Sequence, residues 1–224
     1  QATELSKKLG LVTRQVAGQR VTDEATLEVM KQVLGGVGVN VAQAMRLAQV
    51  QAISTSGVSA GLVEATRRPP VRIGDEEVDY GLVGDVTNVN ITLLEALAKA
   101  GVVPVIGCLA GDALGNVYNV NADTVATRLA GRLRAARLFL VSNVPGVLAN
   151  KDDPTTRIAQ LTPEAADAHI KRGAIVGGMI PKVQESLAML DEGIGAIHIV
   201  GLEPESAILD EALEPGSRGT VFVT

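Results

Sequence analysis

Short runs of Val, Ile, Leu and Ala alternate along this chain with segments of helical period, and that alternation most constrains its fold. Residues 50–54, 102–106, 138–141, 196–200 and 220–223 read as strands. Between them, Leu27, Met30 and Leu34 share one face of a helix over 24–34, with Thr22-Asp23 as its cap. Further helices are expected over 91–100, capped by Asn90 and closed by Gly101, and over 122–136. Others run from Thr162-Pro163 to Gly173, from Gly177-Gly178 to about residue 190, and over 205–213. The alternating stretch 71–89 carries Gly74-Asp75, which marks a hairpin excursion, and 111–116 reads as a turn. Strands separated by helices predict a mainly parallel sheet with helices on both faces. Ligands of such sheets sit at the carboxyl ends of the strands.

Hydrophobic residues make up 46% of the chain and aromatics only 2%. The core is therefore built of Val, Leu, Ile and Ala, which suits buried parallel strands. A net charge of −5 without a block of like charges argues against nucleic acid as a partner. An anion site would need local Lys, Arg or helix N-termini. One cysteine, Cys108, and two distant histidines, His169 and His198, leave no disulfide framework and no thiolate or zinc centre. No apolar run approaches the roughly 20 residues of a membrane span, and no signal peptide is visible. A cytoplasmic setting is expected.

Four segments carry chemistry. In Val176-Gly177-Gly178-Met179-Ile180-Pro181-Lys182, two glycines open a helix whose first amides attract phosphate, with Lys182 in the first turn. The plainer reading is a helix start with a solvated lysine. In Tyr118-Asn119-Val120-Asn121-Ala122-Asp123, Asn119 and Asn121 point the same way if the stretch is extended, and Asp123 begins a helix. Asn and Asp are also ordinary capping residues. Arg20 in Arg20-Val21-Thr22-Asp23 can grip a carboxylate in a bidentate fork, or simply lie on the surface. Asn143-Val144-Pro145-Gly146-Val147-Leu148 follows an apolar strand, where a doubly wound sheet presents a ligand loop or merely turns.

The order and spacing of these segments resemble the amino acid kinase family, from about residue 9 to the C-terminus. The resemblance is closest to members that phosphorylate N-acetyl-L-glutamate in arginine biosynthesis. It implies a three-layer α/β/α sandwich with an acyl-amino-acid lobe over 1–130 and a nucleotide lobe over 131–224. It also implies that Arg20 binds the substrate α-carboxylate and that Asn119 hydrogen-bonds the same molecule. Asp123 would orient the catalytic lysines, and Lys182 would stabilise the phosphoryl group in flight. Asn143 to Leu148, with Ala174, Ile175, Val176, Gly177 and Gly178, would line the ATP site, and magnesium would bridge the phosphates. The helix over 24–34 and the segment after it resemble a dimer-forming region, so a homodimer or higher homo-oligomer is expected. His198, Glu211 and Gly219-Thr220 resemble an arginine-effector region, although His198 also reads simply as a residue on a buried strand.

The chain departs from the family in several places. The Lys-x-Gly-Gly-like segment and His-Gly-Gly-Gly loop of other members are not among these residues, which begin at Gln1-Ala2-Thr3. The expectation is a fragment lacking its first strands, with exposed sheet edges. Asn143 stands where many relatives carry Asp. Lysines frequent around Val39-Asn40, and the Lys-Asp of the substrate-side loop at 57–61, are replaced. Two other readings remain: a kinase for aminoadipate held on an acidic carrier protein, and a non-catalytic amino-acid-sensing module. These 224 residues alone are expected to show little or no kinase turnover in a steady-state assay; full turnover would refute that.

Overall fold

A computed structural model describes residues 2–11, 14–17, 19–150, 152–176 and 179–224. The chain divides into two compact units, Gln1–Arg128 and Leu129–Thr224. Among the described residues, no helix is long and apolar enough to cross a membrane.

The first unit opens with α1 (Ala2–Lys8), a short hairpin of β1 (Gln15–Val16) and β2 (Gln19–Arg20), and α2 (Glu24–Leu47). Next come β3 (Ala52–Ser56), β4 (Val63–Arg67), the hairpin β5 (Val71–Ile73) and β6 (Glu76–Val78), and β7 (Gly84–Val89). The unit continues through α3 (Thr92–Lys99), β8 (Val103–Gly107), β9 (Leu109–Gly111) and β10 (Val117–Asn119). Helix α4 (Ala122–Arg132) then carries the chain into the second unit.

Asp23 caps α2, its carboxylate accepting from Thr26 N–H at 2.8 Å. The helix runs thirteen residues past the expected stop at Leu34, because Gly35, Gly36 and Gly38 do not end it. Packing of α2 on β3 and β8 outweighs the roughly 1 kcal/mol that each glycine costs a helix. Helix α4 stops at Arg132, short of the expected 136. Arg134 turns into the left-handed region, and Ala135 N–H bonds back to Ala130 O at 2.9 Å. The Ala-rich run conceals this stop, since an Arg in that conformation has no sequence mark.

Strands β3 and β8 pair in parallel. A four-stranded sheet, in the order β10-β9-β4-β7, forms beside them, with β4 and β7 antiparallel across a bulge at Glu64/Ala65. Strand β4 and the β9–β10 pairing go beyond the expected elements.

The second unit contains β11 (Leu138–Ser142), β12 (Gln160–Leu161), α5 (Pro163–Lys171) and α6 (Met179–Leu190), followed by β13 (Ile197–Gly201), α7 (Ala207–Leu213) and β14 (Thr220–Phe222). Its sheet has the order β11-β13-β14-β12. Strands β11 and β13 run parallel, as do β12 and β14, while β14 is antiparallel to β13. Thr162 caps α5 with Pro163 at the first helical position. The core is aliphatic: Val147, Leu161, Ile175, Val183, Ile197 and Ile199 close around Phe222.

A buried polar clamp fixes the loop before β14. The Glu211 carboxylate, fully buried on α7, accepts from the backbone N–H of Gly216 (2.8 Å), Arg218 (2.9 Å) and Gly219 (2.7 Å). Its fourth partner is His198 Nδ1 at 2.7 Å, and the His198 ring stacks on Phe139. From the other side, Arg157 donates to the carbonyls of Gly216, Ser217 and Gly219. Burial pushes the Glu211 pKa up, but the three amides and His198 outweigh it, so the carboxyl lies below its ordinary value. A carboxyl depressed on folding stabilises above its unfolded pKa and loses that contribution as pH falls through the folded value. Glu211→Gln is therefore expected to cost about 3 kcal/mol in denaturant unfolding at neutral pH. The gap from the native chain should narrow as pH falls below about 4.

Candidate active site

In the first unit, Arg20 and Asn119 come together through a backbone stitch. Thr22 N–H donates to Tyr80 O at 2.9 Å, and Leu82 N–H donates back to Thr22 O at 2.6 Å. Asn119 N–H then reaches Leu82 O at 2.9 Å. The Asn119 side-chain amide closes the arrangement on Thr22 Oγ1 at 3.2 Å, across 97 residues of sequence. Thr22 Oγ1 donates in turn to Arg20 O at 3.3 Å, so Arg20, at the end of β2, and Asn119, at the end of β10, are tied to the same threonine. Thr22 reads in the sequence only as a helix-cap residue, and the segment 80–82, which joins to it, carries no motif. The glycine at 81 was their one local sign.

The Arg20 guanidinium is half-buried. Its Nη2 donates to Thr3 Oγ1 at 3.1 Å, while Nη1 is buried with no hydrogen-bond partner among the described residues. A buried guanidinium nitrogen in that state is costly unless an acceptor meets it, and a carboxylate is the best acceptor for it. The β1–β2 hairpin that carries Arg20 is itself braced. Tyr80 Oη donates to Val16 O at 3.2 Å, and Arg68 joins Gln19 to Asp85.

Asn119 is held by a second brace. In the β9–β10 turn, Asp112 accepts from the Asn116 side chain (2.7 Å), from the backbone N–H of Leu114 and Asn116, and from Tyr118 Oη (2.8 Å). These donors, the Asn116 side chain foremost, hold its pKa down at about 2. Asn121 does not join Asn119; its carbonyl caps α4, accepting from Asp123 N–H at 2.8 Å. Asp123 is exposed in the first turn of that helix.

In the second unit, the loop from Asn143 to Leu148 leaves the carboxyl end of β11. Asn143 is exposed, Val144, Pro145 and Leu148 are half-buried, and Gly146 and Val147 are buried. Val147 and Ile175 put their side chains into the core, so they can offer a ligand only backbone. Ala174 and Ile175 donate their N–H groups to His169 O, and Val176 is exposed. Gly177 and Gly178 lie outside the described residues. Helix α6 begins at Met179, with Lys182 half-buried in its first turn and Val183 anchored in the same core as Val147 and Ile175.

The chain belongs to the amino acid kinase family, whose model matches residues 1–201. It is 49% identical over 227 residues to an acetylglutamate kinase of Sorangium cellulosum, covering 100% of this chain and 80% of that one. Among solved structures, it resembles smu.665 from Streptococcus mutans at a TM-score of 0.75 and 25% identity, covering 99% of this chain and 81% of that one. An N-acetylglutamate synthase from Neisseria gonorrhoeae shares the fold at a TM-score of 0.82 and 20% identity, with 100% and 49% coverage. The chain therefore has the α/β amino acid kinase fold.

Gly81 makes the stitch feasible. Its φ is +72°, and a Cβ there would stand 2.4 Å from Thr22 O. Gly81→Ala is expected to lower stability by about 2 kcal/mol in urea unfolding, since both strain and a backbone clash oppose it. A neutral substitution would show that Thr22 and Leu82 do not meet as described.

Proposed function

We propose that this chain serves an acetylglutamate kinase: ATP-dependent phosphorylation of the N-acetyl-L-glutamate side-chain carboxylate to an acyl phosphate, in the cytoplasmic synthesis of arginine, measured in the whole protein rather than in these 224 residues alone. The observation that carries this reading is the buried Arg20 Nη1, without a hydrogen-bond partner among the described residues, two residues before the Thr22 that the Asn119 amide contacts, in a chain 49% identical to a kinase of that name. Arg20 takes the α-carboxylate of the acceptor, and Asn119 hydrogen-bonds the same molecule.

The reacting carboxylate has a pKa near about 4.3 and is already ionised at neutral pH, so no general base is needed. What remains is positioning and neutralisation of charge on the phosphoryl group. Lys182 supplies a positive charge from the first turn of α6, and Asp123 is the second charged catalytic group. The backbone of 143–148 and 174–178 holds the nucleotide. Among the described residues, no group of three or more His, Cys, Asp or Glu side chains is placed to hold a metal. We assign magnesium to the phosphates of ATP, which is how it is usually presented to kinases.

Helix α2, with Val39 and Val41 exposed on it, is the surface we assign to a homodimer. The Glu211 carboxylate is spent on His198 Nδ1 and on the 216–219 loop, which supports a structural role for it over an arginine-effector role, while His198 Nε2 is buried without a hydrogen-bond partner among the described residues.

The acyl phosphate can be trapped as a hydroxamate in the whole protein. Free N-acetylglutamate is expected to give product, and carrier-bound aminoadipate none; the reverse preference would overturn the substrate assignment. Arg20→Ala should raise KM for the acceptor at least about tenfold while leaving KM for ATP unchanged, and Lys182→Met should lower kcat about 100-fold.

A further inference from the structure

We propose that Thr220 is a positioning residue for nucleotide binding: its buried hydroxyl pins the backbone of the 143–148 loop. The inference rests on reading that loop as part of the ATP site. Thr220 opens β14 and is fully buried. Its hydroxyl accepts from Val147 N–H at 2.8 Å and donates to Ile158 O at 2.6 Å. Ile158 N–H donates in turn to Val147 O at 2.8 Å. One side chain therefore closes a ring of three hydrogen bonds joining β14, the 143–148 loop and the segment before β12. A hydroxyl can do this because it is donor and acceptor at once; a methyl group of the same size can do neither.

The neighbouring geometry is built around this contact. Gly146 has φ +152°, and a Cβ on it would lie 2.7 Å from Thr220 Oγ1 and 3.1 Å from Thr220 N. The loop passes too close to the threonine to bear a side chain there. The anchor itself is stiff, because Arg157 holds the carbonyls and Glu211 the amides of residues 216–219 just before it. A loop that offers backbone to a ligand binds best when it is already fixed. Without the hydroxyl, Val147 N–H is left buried and unpaired, so the loop must move to satisfy it. The acceptor residues Arg20 and Asn119 belong to the other unit and share none of these contacts. The change should therefore fall on the nucleotide alone.

Calorimetry on the full chain tests this, using MgATP and N-acetylglutamate as separate titrants. Thr220→Val is expected to raise Kd for MgATP about tenfold, from the loss of one buried hydrogen bond, with Kd for N-acetylglutamate unchanged within about twofold. Thr220→Ser, which keeps the hydroxyl, should bind MgATP within about twofold of the native chain. If Thr220→Val does not fold, Gly146→Ala carries the same expectation by displacing the hydroxyl. Amide exchange separates the proposal from the reading beneath it. MgATP that binds without protecting 143–148 overturns the nucleotide assignment of the loop, and Thr220's role with it. Protection of those amides in the native chain, with Thr220→Val or Gly146→Ala binding MgATP normally or weakening both ligands equally, overturns Thr220's role alone.

Discussion

The hydrogen bond from Leu82 N–H to Thr22 O is the contact on which the arrangement of Arg20 and Asn119 in the first unit depends. It ties the turn after β2 to the strand leading into β7, and the next backbone bond along that strand receives Asn119. Two residues distant in sequence, Arg20 and Asn119, are thereby tied to one threonine without bonding each other. The backbone does the positioning, so the side chains stay available. Among the described residues, Arg20 Nη1 stays buried without a partner because Thr3 occupies only one end of its guanidinium. A buried cation held this way is expensive alone and worthwhile only with an anion opposite it.

The second unit solves a similar problem with a buried carboxylate. Glu211 collects three amides that would otherwise be orphaned in the loop before β14. Four charge-assisted hydrogen bonds offset the cost of burying it, and they hold the loop in one geometry. Thr220 passes that rigidity on to 143–148. In both units, a polar group removed from water orders the backbone around it.

Much of this was legible in the sequence. Helices α3, α5 and α6 announce themselves through period, caps and stops, and the strand cores of β3, β8, β11 and β13 through apolar runs. The end of α2 was not legible, because a local pattern counts glycines as breaks and cannot weigh the sheet the helix lies on. Strand β4 reads Val-Glu-Ala-Thr-Arg, too polar to stand out, and its partners lie far along the chain. Arg20, Asn119 and Lys182 could be found as motifs. Thr22 and Thr220 fall inside motifs read for other reasons, a helix cap and an effector-like region; their bracing roles were not legible, since these are set by partners that only folding brings near.

The division of labour between the two units can be measured residue by residue. Backbone amide shifts followed by NMR, with N-acetylglutamate alone and MgADP alone, report where each ligand sits. N-acetylglutamate is expected to move the amides of Arg20, Thr22 and Asn119, and MgADP those of Asn143 to Leu148. N-acetylglutamate shifting the 143–148 loop while leaving Arg20 and Asn119 untouched would contradict the assignment of acceptor and nucleotide to these residues.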